Sequence, residues 1–296
     1  MSGAGRFAAA ACAALLLAQC AHQQPAEPAP PPFAAEPAPL EPVAAVPSAP
    51  PAWGEVFATG WERRTHSAPA ALRHGARLHV FEARKGAEAV RLSGVVFDDR
   101  HLALRIVDQP DEQAGGARIE KIARELDASA CFNGGFFQRD FTPLGQFVSD
   151  GRTTGAFTRS SLVSGAVLVR GGSPALVWNA EFTGAYGITQ MLQAGPRLVD
   201  AGRPVGTLEK TRSARRSFIA HDGRHLWLAG TAEDCTLAAL AEILATPGLL
   251  PGFTTLRALN LDGGGSTALC ARRADGGEFH IRSWRTVRNY LAIVAR

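Results

Sequence analysis

The residues best placed to do chemistry are Asp262, the three glycines that follow it (Gly263, Gly264 and Gly265), and then Ser266 and Thr267. They come directly after a short apolar run, Arg257 to Leu261. A carboxylate at the tip of an apolar strand is costly unless something pairs it or uses it. Consecutive glycines let the backbone approach a ligand closely and turn amide groups toward an anion. A second segment has the same form: Asn133, Gly134 and Gly135, then Phe136 and Phe137, after the apolar run Ala128 to Phe132. Each segment taken alone reads as an ordinary turn, in which Asn tolerates a positive φ. Together they suggest one pocket built from two strand ends.

The elements that would position these turns are mostly strands. Arg77 to Arg84, Val90 to Phe97 and His101 to Val107 alternate in the β manner and read as a meander. Further strands are expected at Gly145 to Ser149, Leu162 to Val169, Pro196 to Val199, Ser217 to His221, Leu226 to Gly230 and Tyr290 to Val294, with glycine-containing turns between most of them. Two helices interrupt this pattern. Ile119, Ile122, Ala123 and Leu126 recur at helical spacing, as do Leu237, Leu240, Ala241 and Leu244, with Thr236 as cap and Pro247 and Gly248 as stop. Strands with a few separated helices predict an α+β fold, a single mixed domain with a strand-rich centre, rather than a doubly wound parallel sheet.

The first 52 residues look unlike the rest. Arg6 precedes an almost wholly apolar run from Phe7 to Ala18, too short for a stable membrane span, which is the form of an export signal over residues 1–21. Leu17, Ala18, Gln19 and Cys20 resemble the site at which bacterial lipoproteins are cleaved and acylated on Cys, although Gln19 stands where a small residue is usual. Residues 22–52 are rich in Pro and Ala and predict an extended tether, because they hold too little apolar surface to offset the entropy of ordering. Residues 53–296 then suffice for one sizeable domain. These features predict an exported protein, periplasmic or anchored to the membrane through Cys20.

Composition narrows the function classes. The formal charge of +4 is modest, and no long basic run interleaved with aromatics is present, so nucleic acid is not an expected partner. Only Lys85, Lys121 and Lys210 among the 31 basic residues are lysines, and Arg is the better side chain for bidentate phosphate contacts. Cys131, Cys235 and Cys270 lack CxxC spacing, which argues against a zinc site; in an oxidising compartment any one of three pairings could close. No metal and no cofactor are expected, although an Asp beside backbone carbonyls is the donor type calcium uses.

Five segments together resemble the phosphodiester glycosidase family, which includes the lysosomal uncovering enzyme. Phe132 to Phe137 resembles its NGGFF motif, and Pro143, Gly145, Asp150 and Gly151 the turns that follow. Ala194, Gly195, Pro196, Leu198 and Val199 are similar to its A-G-P-x-L-V segment. Arg216 to Gly223 is similar to its R-T-A-I-G strand and D-G turn, with Ser217, Phe218 and Ala220 as departures. Asn260 to Thr267 matches N-L-D-G-G-G-S-T in full, and Arg285, Val287, Asn289 and Leu291 resemble the closing R-P-V-x-N-x-L strand, with Thr286 at the usual Pro position.

The resemblance implies hydrolysis of a sugar-1-phosphodiester at the anomeric carbon. Such a reaction builds oxocarbenium character on the ring and negative charge on the departing phosphate. On this reading Asp262 serves the anomeric centre, as base or as electrostatic stabiliser, and Arg216 holds the phosphate. Asn133, Ser266, Thr267 and Arg285 would contact sugar hydroxyls or phosphate oxygens, while Gly134, Gly135, Gly263, Gly264 and Gly265 admit the ligand. Asp262, Arg216 and Asn133 are accordingly expected to converge. Asp140 and Asp150 are candidates for a second carboxylate, and either retention or inversion is compatible with these residues. Two alternatives compete: a carbohydrate-binding or envelope-organising lipoprotein without turnover, and a phosphodiesterase that breaks P–O instead of C–O.

Overall fold

A computed structural model of the chain describes residues 59–64, 67–109 and 118–296. The expected export signal, Cys20 and the Pro/Ala tether lie outside the described residues. The fold is α+β, built from three sheets that share one apolar interior.

In the largest sheet the hairpin Arg77–Lys85 and Glu88–Asp98 leads to Leu226–Cys235, then Ala214–His221, Arg257–Asn260 and Arg197–Asp200. A second sheet runs Ser173–Trp178, Gly165–Arg170, Ile188–Ala194, Phe147–Ser149, Arg152–Thr154. The third runs Glu278–Ile281, Leu269–Arg272, Ala130–Asn133, Asn289–Ala295, Leu102–Asp108. Val95, Ile219 and Leu259 from the first sheet meet Val167 and Leu192 from the second and Phe132, Leu269 and Leu291 from the third. All of these side chains are buried, so the inner faces of the three sheets pack on one core.

The two helices cover outer faces. Leu237–Ala245 lays Leu240, Ala241 and Leu244 on the back of the large sheet, and its first turn is closed by Thr236 Oγ1 accepting from Ala239 N at 3.1 Å. Ile119–Glu125 packs Ile119, Ile122 and Ala123 on the back of the third sheet, against Cys131 and Cys270.

The expected meander is corrected by the structure. Arg77–Lys85 and Glu88–Asp98 do form a hairpin, but Leu102–Asp108 leaves the sheet and pairs along its whole length with Asn289–Ala295. Crossing over lets Leu102, Leu104 and Ile106 close the shared core from another side. Cys131, Cys235 and Cys270 are free thiols, all buried. Burial pushes the Cys235 and Cys270 thiols up to about 12 and raises Cys131 as well, so all three stay protonated and unreactive.

Candidate active site

The two glycine turns lie side by side. Asn133 ends the strand Ala130–Asn133, and the chain reaches Asp262 two residues beyond the end of Arg257–Asn260. Asp262 N donates to Gly134 O at 3.0 Å, and the Asn133 amide donates to Asp262 O at 2.7 Å. Two strand ends from different sheets are thereby fastened together.

Both ends of the Asn133 amide are engaged by the protein itself. It is fully buried, and its Oδ1 accepts from Ser217 Oγ at 2.6 Å and from Ala268 N at 3.0 Å. It fastens the Asp262 turn from within the protein, with no exposed area of its own. Gly134 and Gly135 are likewise required by the protein's own packing. A Cβ at Gly134 would fall 2.0 Å from Asn289 Oδ1, and one at Gly135 2.8 Å from Gln193 O. The Asn289 side chain takes that space and accepts from Gly135 N at 2.7 Å.

The glycine triplet divides its tasks. A Cβ at Gly263 would meet Arg215 O at 2.8 Å, so this residue lets the turn press against the neighbouring strand. Gly264 has φ +60, a conformation that glycine adopts without strain, and open space where a Cβ would be. Gly265 faces Arg285: a Cβ there would lie 3.3 Å from Arg285 Nε. Gly264–Ser266 forms a single 3-10 turn that brings Ser266 and Thr267 back beneath the loop, where both hydroxyls are buried.

The Asp262 carboxyl accepts from Gly263 N at 2.8 Å. Burial raises its pKa above the ordinary carboxylate range, opposed by the Ser266 hydroxyl, the Gly263 amide and the positive charge of Arg285. A carboxyl shifted by burial in this way is the kind of group that active sites use.

Arg216 is not brought to this carboxyl. Its Nε donates to Cys235 O at 2.9 Å and its Nη2 to Arg212 O at 2.6 Å, on the face of Ala214–His221 that Phe218 and Ala220 turn toward the helix Leu237–Ala245. Ser217, one position on, faces Asn133 instead. The period of a strand thus sends Arg216 to the far side of the sheet, and the expected convergence of Asp262, Asn133 and Arg216 fails at Arg216. The cations on the correct side are Arg285 and Arg215, whose Nη2 donates to Thr267 O at 2.8 Å and to Arg282 O at 3.1 Å. Arg215 escaped the sequence reading because only its parity with Ser217 separates it from Arg216.

The two candidate second carboxylates are engaged elsewhere. Asp150 accepts from Arg105 and from Gln190, each at 2.7 Å, and Asp140 accepts from Thr142 N at 3.0 Å within its own turn. Among the described residues Cys270, Glu278 and His280 have metal-ligand chemistry and lie together. Glu278, however, is gripped by Arg124 at 3.0 and 2.7 Å, a positive charge that opposes a cation there.

The phosphodiester glycosidase family profile matches residues 127–294, more than half of the chain and all of both glycine turns. The chain belongs to the phosphodiester glycosidase family. Its fold is similar to that of the catalytic domain of zebrafish N-acetylglucosamine-1-phosphodiester alpha-N-acetylglucosaminidase, auto-inhibited by its pro-peptide. That match has 17% identity and a TM-score of 0.55, covering 80% of this chain and 89% of that one. A hypothetical protein from Synechocystis is also similar, with 19% identity and a TM-score of 0.51, over 79% of this chain and 65% of that one. No curated protein in the comparison matches the chain. Family membership assigns glycosidase-type hydrolysis of phosphodiester-linked sugars at family level. At such identities the structural likeness speaks for the fold alone, so the roles of individual residues rest on the geometry of the Asp262 turn.

Proposed function

We propose that this protein hydrolyses a sugar-1-phosphodiester at the anomeric carbon, in the bacterial cell envelope, with Asp262 at the reaction centre. The observation that carries the reading is the Asp262 carboxyl held in the glycine turn by Gly263 N and under the positive charge of Arg285, in a chain of this family. Water adds its oxygen to C1, the bond from C1 to the bridging oxygen breaks, and that oxygen leaves with the phosphate as a monoester. A proton from the water passes to Asp262 and then to solvent. Phosphate is a weakly basic leaving group, so a fixed guanidinium can supply much of what an acid supplies in ordinary glycosides. Arg285 takes that role in place of Arg216, while Ser266, buried beneath the loop, supports the Asp262 carboxyl from the protein side.

The test is turnover of a sugar-1-phosphodiester in isotopically labelled water. Label in the released sugar is the expected result. Label in the phosphate product would mean that P–O is cut and the protein is a phosphodiesterase. Retention of ligand with no free sugar would make it a binding protein.

A further inference from the structure

We propose that Trp284 is the sugar-stacking wall of this site, receiving the apolar C–H face of a pyranose whose anomeric carbon is turned to Asp262. This rests on the reading of the site as a sugar-phosphodiester hydrolase and extends it to how the sugar is recognised.

Trp284 is 77% exposed, and with Leu162 and Tyr186 it makes up the large apolar side chains left open to solvent among the described residues. Unlike a stray surface aromatic, it is anchored to the catalytic turn. Its backbone N donates to Gly265 O at 2.7 Å, and its ring edge would lie 3.8 Å from a Cβ on Gly265. Gly265 is the residue that also faces Arg285, next to Trp284 in the chain. The Arg215 guanidinium stands 5.0 Å from the ring centroid and is itself tied to Thr267 O and Arg282 O. A cation over the ring, itself fixed by two carbonyls, restrains the indole in one orientation.

The chemistry of this surface selects its ligand. The faces of an indole carry partial negative charge, which suits the polarised C–H groups on one side of a pyranose. The flanking cations, Arg215 and Arg285, suit a phosphate joined to that same ring. Gly265 offers no side chain to keep a ring from reaching the turn. A sugar lying on Trp284 would thus present its C1 side to Asp262 and its phosphodiester to the guanidinium groups.

The experiment compares Trp284→Ala and Trp284→Phe with the wild type, in turnover of a sugar-1-phosphodiester and in quenching of tryptophan fluorescence by the corresponding methyl glycoside. The side chain is exposed, so both variants should keep the wild-type unfolding midpoint. The expected result is a rise in KM of about tenfold for Trp284→Ala with kcat within about twofold, and recovery of most of that loss in Trp284→Phe. An unchanged KM in Trp284→Ala would overturn the stacking role and leave the hydrolase reading intact. If the wild type turns over no sugar phosphodiester, the hydrolase reading falls, and the quenching decides the role of Trp284 separately. Glycoside quenching present in the wild type and lost in Trp284→Phe supports it; no glycoside quenching, or quenching by a nucleoside monophosphate alone, overturns it.

Discussion

Asp262 bears two conflicting demands, and they predict different effects of one substitution. Because burial raises its folded-state pKa, the fold favours the neutral carboxyl. That contribution to stability is fully present below the ordinary carboxylate pKa and is lost as pH rises through the raised value. At pH 7 the ionised carboxylate is therefore a net cost to the fold. Asp262→Asn keeps the shape and removes the charge, so it should raise the unfolding midpoint at pH 7, by about 2–4 °C for each kcal/mol of cost removed. The gain should vanish as pH falls below the ordinary carboxylate range. Turnover should fall by at least about a hundredfold in the same variant, since the ionised group is what serves the oxocarbenium centre. Wild-type activity should decline on the acid side at a higher pH than a free aspartate would give. A less stable variant at pH 7 would mean that the Gly263 amide, Ser266 and Arg285 outweigh desolvation, and near-normal turnover would remove Asp262 from the reaction.

Between residue and molecule, the segment carrying Trp284 and Arg285 is held by an ion pair three positions further on. Arg288 grips Asp108 through Nε at 2.6 Å and Nη2 at 3.1 Å, with side chains only 5% and 9% exposed, and its Nη1 donates to Phe141 O. This pair joins the end of Leu102–Asp108 to the start of Asn289–Ala295. Asp108→Ala would leave a buried, unpaired guanidinium and should destabilise the fold by about 3–5 kcal/mol, read as a lower denaturant midpoint. Asp108→Leu combined with Arg288→Met should restore most of that loss, because a buried pair adds little over a well-packed apolar one. A double variant as unstable as the single would show that the pair has a specific structural role. The same scale decides what the sequence made legible. The helix Leu237–Ala245 was visible because its spacing, its Thr236 cap and the Pro247–Gly248 stop all agree. The strand Ile188–Ala194 was not, because Gln190 and Gln193 break its apolar pattern. Both are buried and used as connectors, Gln190 Oε1 accepting from Ile106 N at 2.8 Å and Gln193 Oε1 from Gln146 N at 2.9 Å. Asp262 and its glycines were legible because their chemistry is local. The face taken by Arg216, the burial and hydrogen bonding of Asn133 and the pairing of Leu102–Asp108 depend on partners far along the chain, which local spacing does not encode.

At the scale of the molecule, three sheets close on one interior and the helices Ile119–Glu125 and Leu237–Ala245 cover outer faces among the described residues. We propose that the first 52 residues, which lie outside the described residues, serve placement. Their composition, a short apolar run ending at Cys20 and then Pro and Ala, predicts acylation of Cys20 and an extended spacer. If residues 25–52 adopt an extended Pro-rich form at about 3.1 Å per residue, they would reach on the order of 80 Å. That reach would let the Asp262 site meet substrates well away from the lipid surface. A formal charge of +4 is too small to hold the protein on a membrane by electrostatics alone, so if the chain is membrane-retained, acyl chains on Cys20 are the expected anchor. Cys20→Ser tests this directly. The wild type should sediment with membranes and be released by detergent. The variant should be processed, appear in the soluble fraction, and keep full activity, because the substitution lies outside the catalytic unit. A processed variant that still sediments with membranes would reject lipid anchoring at Cys20, and a wild type that is soluble from the outset would make the segment an ordinary cleaved export signal.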